Sequence, residues 1–227
     1  MGKFGCAFAA LAFCASTAQA APYAAMAPDA QYMMDRDAEI ALAKSAAPSS
    51  ISGKATILAL TPHGYEVAVK GKNGFVCAVE RGWMAQYDFR EFWNLNLRGP
   101  LCYNPAAARS ILPYTIERTR LALLGRSKAQ MSAAIKDEIA KRKLPALEAG
   151  AVTYMMSKRQ YLNDKARRWI PHLMFYFPRG PRANWGADMS GSPLMLNPQF
   201  QDTPESISVI MVPAGHWSDG SPAPQMR

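Results

Sequence analysis

The rhythm of hydrophobic and polar positions changes several times along the chain, and each rhythm predicts an element. Residues 35–45 carry Asp35, Asp37 and Glu39 in their first turns and Lys44 near the end, which suits a short helix and its dipole. The runs 55–60, 65–69 and 75–79 are apolar or alternating, and Thr61-Pro62-His63-Gly64 and Gly71-Lys72-Asn73-Gly74 separate them. Turns of that composition predict a three-stranded antiparallel meander over 54–81. Alternation puts Phe75, Cys77 and Val79 on one face, with Cys77 inside.

The stretch 83–102 is aromatic and irregular, with Trp83, Tyr87, Phe89, Phe92 and Trp93. Asn104-Pro105 then opens a helix, Asn as cap and Pro at the first helical position. Pro113 interrupts it, and a second helix runs over 114–124 to Gly125. Ser127-Lys128-Ala129-Gln130 is a capping box, and the helix it opens has Met131, Ile135 and Ile139 as its apolar stripe. The runs 151–156, 171–177 and 206–212 read as strands. Asn163 or Asp164 is placed to cap a short helix between the first two, and 185–198 reads as loop. This order predicts an α+β fold: a small antiparallel sheet, begun by the meander 54–81 and extended by the later strands, covered by a central block of helices. It forms a single globular domain over 35–216, between a flexible lead-in over 21–34 and a flexible tail over 217–227.

The first twenty residues change this picture by adding a compartment. Met1-Gly2-Lys3 is a short basic start, 4–15 is uncharged and apolar, and Ala18-Gln19-Ala20 suits signal peptidase. A signal peptide over 1–20 is expected, cut before Ala21. Its apolar run is shorter than the ~20 residues a spanning helix needs, so a periplasmic or secreted protein without a transmembrane segment is expected. Cys6 and Cys14 leave with the leader. Cys77 and Cys102 then have one possible pairing in an oxidising compartment. Closing that loop contributes about 3.5 kcal/mol on the chain-entropy account.

The formal charge is +9, and it is uneven: 109–182 holds sixteen basic against five acidic side chains. For an exported protein this points to an anionic envelope surface or an acidic protein as partner, not to nucleic acid. Arg109, Arg118, Arg120, Arg126 and Lys128 are expected to share one electropositive face. Catalytic signals are weak. His63, His172 and His216 lack metal-ligand spacing, and no metal or cofactor is expected. Ser190 with His216 as base suggests a hydrolase, but the glycines of a nucleophile elbow are missing. The methionines are scattered through apolar runs and read as core filling rather than a copper site. The Trp83–Trp93 cluster reads as packed core rather than a stacking platform. The function expected is a non-enzymatic binding or envelope-associated module, with a hydrolase using Ser190 and His216 as the alternative.

Overall fold

Asp35 behaves as its side chain suits. Its Oδ1 accepts from the Ala38 amide at 2.9 Å and caps α1 (Arg36–Lys44). The structure is a computed structural model and describes Met1 together with residues 22–180, 185–197 and 203–224. Apart from Met1, the leader expected over 1–20 lies outside the described residues.

After a single turn, α2 (Ser49–Ser52), the strands β1 (Thr56–Thr61) and β2 (Gly64–Val69) form the expected hairpin. The next strand, β3 (Val76–Glu80), does not add to β2. It lies on the other side of β1 and runs parallel to it, with Ile57 opposite Cys77. The loop before it explains why. It crosses the start of β1 so closely that a Cβ on Gly71 would sit 2.2 Å from the Thr56 nitrogen. Only glycine permits that approach. The Lys72 amide then donates to the Lys54 carbonyl, and Asn73 Nδ2 to the Ile51 carbonyl, both at 2.8 Å. Asn73-Gly74 therefore steers the chain under β1 instead of closing a hairpin, and the meander is replaced by the order β2-β1-β3.

A further strand, β4 (Gly99–Tyr103), pairs antiparallel with the whole of β3. Its Gly99-Pro100 start hides it, because proline is rare inside a sheet. Pro100 is tolerated because β5 (Val152–Met155) pairs only with Cys102 and Tyr103 on the far side. Then come β6 (His172–Pro178), the two-residue β7 (Met195–Leu196) within the stretch read as loop, and β8 (Ile207–Pro213). They complete an eight-stranded mixed sheet of order β2-β1-β3-β4-β5-β6-β8-β7. The expected small antiparallel sheet beneath a central helical block is thus overturned.

The helices α3 (Pro105–Ser110), α4 (Leu112–Leu123) and α5 (Lys128–Ala140) form where expected, with the Asn104 cap and the full Ser127–Gln130 capping box. They do not blanket the sheet. The irregular segments 81–98 and 156–171 also close over that face. No helix forms after Asn163: its Oδ1 accepts from the Ala166 amide, and Arg167, at φ 59°, turns the chain back.

Strand alternation divides the core between two faces. One carries Ala78, Leu101, Tyr103, Met155, Met174, Tyr176 and Val209. The other carries Ile57, Cys77, Val79 and Cys102 against Leu42, Ala43, Ala46 and Ala47. Cys77 and Cys102 are disulfide-bonded across β3 and β4, their Cα atoms 4.0 Å apart. Beyond β8, Trp217 is buried and Ser218 Oγ donates to the Ser45 carbonyl at 2.6 Å. Among the described residues no helix is long and apolar enough to cross a membrane.

Candidate functional site

Where α4 and the irregular segments close over the first sheet face they leave a cavity of about 350 Å³, a size found among small-molecule sites, which span about 300–1,000 Å³. The sheet supplies Leu101, Met155, Met174 and Tyr176; α4 and the residue before it supply Ile111, Tyr114 and Thr115. Met84, Ala85 and Phe89 form a third wall, and Leu162, Ala166 and Trp169 a fourth. Ala166 is exposed, so this last segment makes the rim. Several wall residues are methionines, whose unbranched thioether side chains adapt to varied shapes.

A few polar groups interrupt this lining. Glu80 ends β3 with the same inward parity as Ala78. Its Oε1 accepts from the Tyr103 hydroxyl and from Thr115 Oγ1, the latter at 3.1 Å, while its Oε2 has no partner among the described residues. Burial pushes this carboxyl above its ordinary pKa, and the two hydroxyls and Arg118 pull it part of the way back. The surface Glu80 retains is the cavity wall. His172, 2% exposed, begins β6, and its Nδ1 lies 2.8 Å from the Ile170 carbonyl. Burial lowers its pKa to about 4, so the ring is neutral. A carbonyl only accepts, so Nδ1 carries the proton and Nε2 an open lone pair. Trp169 packs edge-on against this ring at 4.6 Å.

Two buried arginine–glutamate pairs flank the cavity wall. Arg81 Nη2 meets Glu39 Oε2 at 3.0 Å; its Nε and Nη1 donate to the Tyr32 and Val79 carbonyls, and Glu39 Oε1 accepts from the Leu60 amide. Arg118 Nε meets Glu205 Oε1 at 2.8 Å, and its Nη1 donates to the Trp83 and Ala85 carbonyls. Its guanidinium lies 4.3 Å from the centre of the Tyr87 ring. Around this second pair Arg118 Nη2, Glu205 Oε2 and the Tyr87 hydroxyl are buried without a partner among the described residues.

The residues singled out from sequence are dispersed. Arg118 is fully buried. Arg109 is exposed and paired with Glu148, and Arg120 with Glu117. Only Arg126 and Lys128 stay together, at the start of α5; Lys128 Nζ donates to the Phe89 carbonyl at 3.0 Å. Ser190 is exposed ahead of β7 and His216 is exposed beyond β8, with no hydrogen bond between them. His63 is exposed in the β1–β2 turn. Trp83, Phe92 and Trp93 are packed core, as expected.

Glu80, Trp169 and Glu205 were not singled out. For Glu80 a signal existed, since an acid two residues from Ala78 in a strand must share its buried face. Trp169 and Glu205 lie in irregular chain, where no periodicity points. No protein-family model matches the chain, and no curated protein or solved structure matches it either.

Proposed function

We propose that this protein is a non-catalytic binding module that takes a small, mostly apolar molecule into the cavity beneath α4. One observation carries the reading: a space of about 350 Å³ walled by Leu101, Met155, Met174, Phe89 and Trp169 and interrupted by a few inward polar groups. An apolar cavity of that kind is the usual form of a ligand site. Binding takes place outside the cytoplasm in this reading, which the Cys77–Cys102 disulfide and the leader expected over 1–20 support. Contact with an anionic envelope surface belongs to the same proposal, supported by the exposed Lys158, Lys165, Arg167 and Arg168 beside the rim.

The test is calorimetric titration with a neutral naphthyl alcohol. One saturable site per chain is expected. Ala166→Trp at the rim should weaken binding about tenfold or more, equivalent to about 1.4 kcal/mol, while leaving the melting temperature unchanged. Absence of saturable binding to the unaltered protein would remove the proposal.

A further inference from the structure

We infer that the ligand of this cavity is a hydrophobic amine: an aryl or alkyl body that fills the apolar space and one ammonium group that seats on Glu80. The inference rests on the cavity-binding reading above and adds the chemical class of the ligand.

Hydrogen-bonding polarity comes first. Two wall side chains each present an open acceptor: Glu80 Oε2 and His172 Nε2. An ammonium group is donor-only, with three N–H bonds to give. Arg81 is a cation of the same wall, but its Nε, Nη1 and Nη2 are all engaged by protein acceptors. The unpaired Nη2 of Arg118 belongs to a side chain behind the wall, not in it.

Charge points the same way. Glu39 and Glu205 each have an arginine partner. Glu80 has only the hydroxyls of Tyr103 and Thr115. Arg118 acts on it only from a distance, so the carboxyl has no cation in hydrogen-bond contact, and a bound ammonium would supply one. The two wall carboxylates are also neighbours. Thr115, which binds Glu80, and Arg118, which binds Glu205, are three residues apart on α4 and so share one side of that helix. An anionic ligand driven to this depth would meet both carboxylates. The basic side chains that could hold it, Arg167 and Arg168, are outside on the rim.

The experiment compares three naphthyl compounds of one size: the methylamine, the methanol and the carboxylate. Each is titrated into the unaltered protein and into Glu80→Gln. Glutamine keeps an oxygen to accept from Tyr103 and Thr115 but carries no charge. The amine should bind the unaltered protein about tenfold or more tightly than the alcohol, as a charge-assisted hydrogen bond implies. In Glu80→Gln its affinity should fall to that of the alcohol, while an unchanged, cooperative unfolding transition reports an intact fold. Equal binding of amine and alcohol to the unaltered protein, or preference for the carboxylate, would overturn the amine and leave the cavity reading standing. Failure of all three to bind would overturn both.

Discussion

The two buried arginine–glutamate pairs are alike in composition and unlike in completion. Every side-chain nitrogen of Arg81 and both oxygens of Glu39 have partners. Arg118 and Glu205 each keep one polar atom without a partner among the described residues. The first pair joins α1 to the end of β3, near the face where small alanines pack on a disulfide. Both reach the cavity wall, the first through Arg81 and the second through Glu205. A fully partnered pair holds elements together without leaving a polar group unmet; the incomplete one leaves two buried polar atoms without partners among the described residues. The difference arises from what lies over each region. A regular helix with an alanine face packs against one face of the strands, whereas the aromatic 81–98 segment closes over the other face and leaves the cavity beneath it.

The largest effect should come from breaking the complete pair. Glu39→Leu leaves a buried, unmatched Arg81 and should cost about 3–5 kcal/mol of stability in urea unfolding. A loss below about 1 kcal/mol would show that Arg81 finds water instead, and that this region is less closed than described. Next is the crosslink of the same face. Cys77 and Cys102 are 25 residues apart, so replacing both by alanine should cost about 3.5 kcal/mol. Mass spectrometry of the unreduced form lacking residues 1–20 should find no thiol open to alkylation.

On the cavity side, His172 links stability to pH. Its pKa is lowered in the folded state from 6.5 to about 4. Above pH 6.5 both states are neutral at this site. Between pH 6.5 and about 4 the unfolded chain takes up the proton first, so stability falls as pH falls. The loss is on the order of 3 kcal/mol at about 1.4 kcal/mol per pH unit. Glu80, whose pKa is raised by burial, acts with the opposite sign, since its stabilising contribution is lost as pH rises. The His172 contribution is therefore read as the difference between the unaltered protein and His172→Gln, which should lack the acid loss. Parallel curves for the two would contradict a neutral buried ring.

The smallest effect is the sharpest comparison. Glu205→Leu should cost about 1–3 kcal/mol, less than Glu39→Leu, because Arg118 keeps two carbonyl partners and the Tyr87 face, and one carboxylate oxygen was unpaired from the start. Equal costs at the two sites would mean that the second pair is as complete as the first.

Local chemistry in the sequence determined much of the element list. Asp35, Asn104 and the Ser127–Gln130 box start their helices because each supplies an acceptor to amides a few residues on. Alternation placed Cys77 inside, and elimination paired it with Cys102. Only the tertiary structure decided the rest. Asn73-Gly74 is compatible with a hairpin, and it was the passage of Gly71 beneath β1 that made β3 parallel. Arg118 carries a charge that composition assigns to the surface, yet Glu205, far along the chain, draws it inside. The cavity wall joins β3, β4, α4, β6 and two irregular segments. A local pattern can specify which amide is capped or which side chain turns inward, because those groups are neighbours in the chain. An empty space is defined by what distant segments fail to fill, and no spacing along the sequence encodes it.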